Sequence, residues 1–389
     1  MNDRLSLSLR LSFFYCAIFT VIGIQLPFWP LYLSDKGLDP TAIGLLLACA
    51  YLAKIISNPV IGHHVDRRGD RRRPLLLLAM ISSLALALFA PFQGFPLLLI
   101  ITLIHGGAFS AMMPLADSLT MLCSVSHRLD YGRVRLWGSL SFIAASGIGG
   151  LTLVEAAPSA IFWSLLCAQL LLVGSCALLP DLRISAPDDG KDHPPFLRSR
   201  PFIMFLTTTS CLQVSHVIYY AFATLHWRAA GLSGGIIGAL WGEGVIAEVA
   251  LFAFGGGLVL RLGPRWLMVA AGAAGILRWS VLAASTDPWI LASVQMLHAL
   301  TFGATHLGAM HFINRSAPPH LSARAQSTYS SVTVGLAPGL GMLAAGPLYQ
   351  NLGGEAFLLM SGLAAIGLGL ALNLRNPAGH LNGTNQHSL

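Results

Sequence analysis

The sequence predicts an all-α, polytopic membrane protein with twelve transmembrane helices in two six-helix halves. Three observations carry that expectation. Of the 389 residues, 55% are hydrophobic and only 10% are charged, whereas a soluble domain carries about 25% charged residues. The apolar residues fall into runs of about 20, the length that crosses roughly 30 Å of hydrocarbon as a helix. The basic residues gather in alternate loops between those runs.

The first run, 13–33, follows a short stretch holding Arg4 and Arg10. It is too long for a signal peptide and no small-x-small cleavage site follows, so it reads as an uncleaved first helix. Runs at 41–62, 74–90, 96–123, 134–154 and 161–179 complete the first half. Runs at 202–223, 234–260, 266–284, 289–312, 327–348 and 356–374 make up the second. Each must be a helix, because lipid offers the backbone no partner outside its own segment. A β-barrel would instead show segments of about ten residues alternating in polarity. Twelve such runs leave only short connections, which excludes a large extramembrane domain.

Assigning the loops alternately to two sides puts nineteen Lys and Arg on one side and two, Lys36 and Arg228, on the other. The positive-inside rule makes the rich side cytoplasmic, so both termini lie inside a multi-pass cytoplasmic (inner) membrane protein. The net charge of +7 therefore reflects topology, and no nucleic-acid partner is expected. The longest polar stretch, 181–200 (DLRISAPDDGKDHPPFLRSR), mixes Pro, Gly and both charge signs like a solvated linker. It separates 1–180 from 201–389, the plan of carriers built from repeated halves. A weak internal repeat agrees with it. Gly62-x3-Asp66-Arg67-x-Gly69 joins runs two and three, and Gly257-x3-Arg261-Leu262-Gly263 joins runs eight and nine. The six cysteines (Cys16, Cys49, Cys123, Cys167, Cys176, Cys211) lie in or at the ends of apolar runs without metal spacing, and read as packing residues.

The densest motif is GHHVDRRGDRRR at 62–73. A glycine near a helix end permits close approach and a left-handed turn, and an aspartate can face an arginine or a helix N-terminus. Its G-x-x-x-D-R-x-G pattern resembles the loop signature of the major facilitator superfamily. A second loop, DYGRVRLWGS at 130–139, enters the fifth run. Together with FWPLYL (28–33), HVIYYAF (216–222), GVIAEV (244–249) and ILRWS (276–280), it resembles the 3-phenylpropionic acid transporters, a proton-linked branch related to the lactose permease group. The resemblance implies alternating access, a small-molecule substrate moved with protons, and a gate at Gly62, Asp66, Arg67 and Gly69 with Arg133 and Arg135. Taken alone, those residues also allow a basic loop that merely sets orientation.

Five ionisable residues sit inside apolar runs: Lys54, Asp117, Glu243, Glu248 and Arg278. Each costs about 2.5–3.5 kcal/mol at mid-bilayer on insertion scales. They must therefore face protein or a wet cavity, either as structural ion pairs or as cavity lining. Glu243 and Glu248 are five residues apart, about 140° around a helix, so they cannot share one narrow site. Glu248, within GVIAEV, is the favoured carboxylate; Glu243 departs from the pattern that the resemblance implies. A carboxylate in a partly dry cavity can exchange protons near neutral pH, as proton coupling requires. Asp117 and Glu248, with Glu243 in reserve, are thus the proton-site expectations.

A carboxylate substrate needs a cation, and Lys54 and Arg278 are the two at membrane depth; an arginine can grip a carboxylate with two parallel bonds. An aromatic ring would need aromatic walls, for which Phe28, Trp29, Tyr219, Tyr220, Trp227, Trp241 and Trp279 are available. Trp29 and Trp227 lie near run ends and read as membrane-interface residues. Tyr220 follows His216 by four and shares its helix face. His216, His298 and His306 read as hydrogen-bonding or relay groups, and His105 as a satisfied core histidine. Metal binding is not expected, since none of them has i, i+4 spacing. No Walker lysine loop, G-x-S-x-G or H-E-x-x-H occurs. Neither an enzyme nor a bound cofactor is expected, and the driving energy must come from a gradient. The expectation is a monomeric carrier importing a small aromatic acid. A carrier of an uncharged sugar or nucleoside, or an efflux carrier, stays open.

Overall fold

The computed structural model describes residues 2–92, 94–127, 129–181, 195–317 and 322–374. Among them the regular elements are all helical. Before the polar stretch come α1 (Asn2–Asp35), α2 (Pro40–Arg68), α3 (Arg72–Leu88), α4 (Phe95–His127), α5 (Tyr131–Leu153) and α6 (Pro158–Leu178). After it come α7 (Arg200–Val214), α8 (Val217–Ala229), α9 (Gly234–Phe254), α10 (Gly256–Ala284), α11 (Pro288–Gln295), α12 (Thr305–Ser316), α13 (Ser322–Tyr329), α14 (Ala337–Leu352) and α15 (Ala356–Asn373). Most of the expected linker, with Arg183 and Lys191, lies outside the described residues, as do Arg128 and Arg375.

Several helix starts are written directly in the sequence. Asp39, Asp130 and Asp287 each accept a backbone N–H of the helix they precede, at 2.7 Å from Ala42, 3.2 Å from Arg133 and 2.9 Å from Trp289. A carboxylate there satisfies amides that have no partner within the helix. Pro40 and Pro288 occupy the first turn, where the missing N–H is not needed.

Nine stretches of the described residues are long and apolar enough to cross a membrane. One of them, Arg324–Asn373, has 50 residues, about 75 Å as a straight helix. It reverses at Gly353, whose φ of +54° lies in the left-handed region. The run at 74–90 forms the 17-residue α3, and the run at 289–312 is divided between α11 and α12, so neither is among the nine.

Three runs expected as plain helices are interrupted. The 202–223 run breaks at Ser215 and His216, between α7 and α8. The 289–312 run passes through a π-helix at Ala299–Ala304, and the 327–348 run through another at Ser330–Leu336. Uniform apolarity hides such breaks, because it reports burial in lipid and not the hydrogen-bond register. The loop motif needs a similar correction. Gly62 lies inside α2, with open space where a Cβ would stand. The left-handed turn belongs to Gly69, at φ +70°, and its repeat partner Gly263 has the same φ.

In the first group α1 packs on α5 and α6, α2 on α4, and α3 on α4 and α6. In the second, α10 packs on α15 and α12, and α7 on α15. The groups meet along α5 against α9 and α2 against α14. Both seams are lined by glycine toward the Lys/Arg-poor end. A Cβ on Gly150 would stand 2.4 Å from the Gly234 carbonyl oxygen, and one on Gly44 would stand 2.8 Å from Gly346 Cα. Backbones approach this closely only where no side chain intervenes.

Candidate functional site

A cavity of about 330 Å³ opens between α1, α2 and α4, with Tyr220 of α8 and Met342 of α14 on its wall. Its surface is mainly apolar and aromatic, with Trp29, Phe109, Leu26 and Leu47. Gln25, Tyr51, Lys54, His105 and Ser110 supply the polar atoms. Among the described residues Lys54 is the one Lys or Arg lining it, and no carboxylate does. Its Nζ stands 4.2 Å from the Tyr51 ring centroid, a cation–π contact. Its Cε reaches the π-helix of the second group, 3.7 Å from where a Cβ on Gly335 would be. Among the described residues Lys54 has no ion-pair partner.

Arg278 lies elsewhere. It is fully buried and absent from the cavity wall. Its Nε and Nη2 donate to Gln295 Oε1 at 3.2 and 2.6 Å, and Nη1 donates to Thr301 Oγ1 at 3.0 Å. The guanidinium also lies against Tyr219 and Trp279, 4.6 and 4.7 Å from their ring centroids. Nη1 is 3.1 Å from His298 Nδ1, and His298 Nε2 is 3.6 Å from Glu248 Oε2. A guanidinium only donates, so Nδ1 must accept and the imidazole proton sits on Nε2, facing the carboxylate. The π-helix that begins after His298 carries Thr301 to Arg278, in keeping with the frequency of π-turns at functional sites.

The remaining expected residues divide between these two places and others. His216, at the α7–α8 break, stacks on Tyr220 at 5.6 Å and meets Trp279 edge-on at 5.0 Å. Its Nδ1 is 3.0 Å from the Leu212 carbonyl, while its buried Nε2 has no hydrogen-bond partner among the described residues. Trp241 donates to Thr224 Oγ1 at 2.9 Å and packs on Tyr219. His306 is exposed beside Phe252, apart from both clusters. Glu243 is half-buried, without a hydrogen bond or ion pair among the described residues. Asp117 accepts from the Tyr15 hydroxyl at 2.6 Å and from the Tyr131 hydroxyl at 3.1 Å.

Of the loop residues, Arg67 is exposed and the Asp66 side chain lies outside the described residues. Arg133 pairs locally, with Asp130 at 3.4 Å. Arg135 turns inward over the Phe19 ring, 4.1 Å from its centroid. Trp29 and Trp227 are not membrane-interface residues: both are buried, Trp29 against Tyr32 and Phe89, Trp227 against Tyr219 and Trp241. His105 is buried as expected, yet it also lines the cavity.

Sequence reasoning missed Gln25, Gln295, Thr301, Tyr15, Tyr131 and Arg71. Arg71 is buried and donates to Ser118 Oγ at 3.0 Å. The two glutamines had a readable signal, since each is an uncharged polar residue inside an apolar run. Among the described residues no group of three His, Cys, Asp or Glu could hold a metal ion.

Residues 8–359 match the model of the MFS_1 like family. The chain is 31% identical over 354 residues to the probable 3-phenylpropionic acid transporter of Escherichia coli (strain K12), covering 89% of this chain and 92% of that protein. It is 27% identical over 344 residues to a maltose permease of Geobacillus stearothermophilus, covering 87% and 86%. In three dimensions it is similar to the nucleoside transporter NupG, with a TM-score of 0.79 at 17% identity, covering 95% of this chain and 98% of that one.

Proposed function

The chain belongs to the MFS_1 like family and is a multi-pass membrane transporter of the major facilitator kind, and from that premise we propose that it imports a small aromatic carboxylic acid, 3-phenylpropionate-like, together with a proton. The observation that carries this reading is Lys54. An ammonium with no carboxylate partner among the described residues, set in a mainly apolar and aromatic cavity, is the complement of an anion attached to a ring. The name of the Escherichia coli relative points the same way. Arg278, enclosed by Gln295, Thr301 and His298, then serves to organise the proton site, and Lys54 is the cation that meets the substrate carboxylate.

Glu248 is the proton-carrying carboxylate in this reading, linked through His298 to Arg278, and Asp117 is a second candidate held by its two tyrosines. Glu243, which has no partner among the described residues, is the third. Tyr220, with His216 stacked behind it, supplies the second group's aromatic wall of the cavity, and Trp241, buried against Tyr219 and Tyr220, backs that wall; His306, exposed beside Phe252, is given no substrate contact in this reading. The carrier works as a monomer of twelve crossings, with halves 1–180 and 201–389 rocking about the linker 181–200. The Lys/Arg-rich side is cytoplasmic, and the loops at Gly62–Gly69 and at Arg133 and Arg135 govern opening there. Coupling requires that proton and substrate favour the same conformational state; a ligand of equal affinity for both states would drive nothing.

The test is uptake by purified protein in vesicles with an imposed pH gradient, across phenylpropionate-like acids, sugars and nucleosides. Accumulation of an aryl acid by about tenfold per pH unit is expected for one proton per monoanion. Accumulation of a sugar or nucleoside instead would overturn the substrate assignment. The enclosure of Arg278 favours that second reading, in which an uncharged solute occupies the cavity; a carboxyl-deleted analogue would then bind as well as the acid.

A further inference from the structure

We propose that Gln25, held in one orientation by His105, selects substrates that carry a hydrogen-bond donor on the ring, making a hydroxylated aryl acid the preferred cargo. The inference rests on the aryl-acid reading of the cavity and adds the chemistry of the ring end.

The orientation follows from a short chain of contacts. His105 Nδ1 stands 3.0 Å from Ser82 Oγ and 3.1 Å from the Ser82 carbonyl oxygen. A carbonyl can only accept, so in the neutral imidazole the proton sits on Nδ1 and Nε2 is left as an acceptor. Nε2 lies 3.2 Å from Gln25 Nε2, and the amide must therefore turn its NH₂ toward the histidine. Ser82 is itself fixed by Gln169, whose Nε2 donates to Ser82 Oγ at 3.4 Å, and both residues are fully buried. Three residues on α3, α4 and α6, namely Ser82, His105 and Gln169, thus determine which way the Gln25 amide on α1 points.

Gln25 lines the cavity, and with its NH₂ committed to His105 its Oε1 is the amide atom left to accept from a ligand there. An acceptor on such a wall recognises a donor and rejects an ether or a second acceptor. Lys54 and Gln25 line the same cavity. Gly106, next to His105, abuts Ala50 of α2, and Lys54 is one turn further along α2, about 6 Å. A carboxylate at Lys54 and a ring between Trp29 and Phe109 would bring a ring substituent toward Gln25. Leaving that acceptor unpaired against a bare ring discriminates against the unsubstituted acid, since a site built to bond a hydroxyl rejects the analogue that lacks it.

The experiment measures binding of 3-phenylpropionate, its three ring-hydroxylated isomers and their methoxy counterparts to the purified full-length protein, for wild type and Gln25→Leu. One hydroxylated isomer is expected to bind about fivefold to tenfold more tightly than the unsubstituted acid, its methoxy counterpart no more tightly, and the ratio to fall to about one in Gln25→Leu. Equal binding of all isomers by wild type, or the same ratio in Gln25→Leu, would overturn the proposal while leaving the aryl-acid reading intact. Failure of wild type to bind any of these acids would overturn both. The wild-type panel alone decides the matter if Gln25→Leu does not insert.

Discussion

Arg278 Nη1 donates to His298 Nδ1 at 3.1 Å, and that one bond determines which face of the imidazole carries the proton presented to Glu248. The arrangement couples a permanent cation to a carboxylate that it does not touch. Changing Glu248→Gln should abolish accumulation driven by a pH gradient, because no group at that position can then gain or lose a proton. Exchange of labelled for unlabelled substrate needs no net proton movement and should survive. In wild type, uptake should rise as the outside becomes more acidic than the inside, and in Glu248→Gln that dependence should vanish. Pulse-labelled vesicle uptake at stepped external pH measures both.

Arg278→Lys should not substitute. The guanidinium satisfies Gln295, Thr301 and His298 at once from a planar fork, which an ammonium cannot reproduce. Each buried acceptor left unpaired costs about 1–3 kcal/mol. Thermal stability in detergent should fall together with transport, by more than any change at the exposed Arg133. An unchanged melting temperature with normal uptake would show that the fork is dispensable.

Lys54→Met should raise KM for the acid by about 10- to 100-fold, the worth of a hydrogen bond to a charged group. The amide analogue of the same acid should bind wild type and variant alike, because it makes no charge-assisted contact. Isothermal calorimetry with the acid–amide pair separates lost anion binding from a distorted cavity, in which both ligands would weaken.

The helices were legible because lipid demands long apolar runs, and the runs at 41–62 and 134–154 each reappear as one helix, α2 and α5. The breaks at His216 and the π-helices were not, since polar satisfaction inside a bundle depends on neighbours that the sequence does not place. The same limit applied to the site. Lys54 and Arg278 look alike as cations inside apolar runs, yet one lines a cavity and the other is walled in. Only packing distinguishes them. Trp29 and Trp227 were misjudged for a related reason, because nearness to a run's end says how deep a residue sits but not which way its side chain points.

Gly150→Leu tests the seam between α5 and α9. A side chain there meets the Gly234 carbonyl and the Gly238 backbone, and overpacking of this kind costs about 1–3 kcal/mol. The Lys/Arg-poor end should then stay open, and a cysteine placed by Leu47→Cys should react faster with a membrane-impermeant maleimide added from that side. Transport should stop while substrate binding persists. Labelling at the wild-type rate would mean that the seam is not what closes that end.

Asp35 and Arg228 join the ends of α1 and α8 at the same face, 3.4 Å apart, with side chains 26% and 41% exposed. Near the same end, Thr41 is hydrogen-bonded to Gln350. A partly solvated pair contributes about 0.2–1 kcal/mol, enough to shift a two-state balance by roughly 1.5- to fivefold. Asp35→Asn should therefore raise labelling of Leu47→Cys from the Lys/Arg-poor side by that modest factor, and the difference should shrink at high salt, where the intact pair is already screened. Exchanging the two charges, Asp35→Arg with Arg228→Asp, should restore the original rate, since the attraction depends on opposite signs and not on which helix bears which. If the exchanged pair labels as fast as Asp35→Asn, the contact is an accident of two neighbouring side chains, and closure at this end rests on the glycine seams alone.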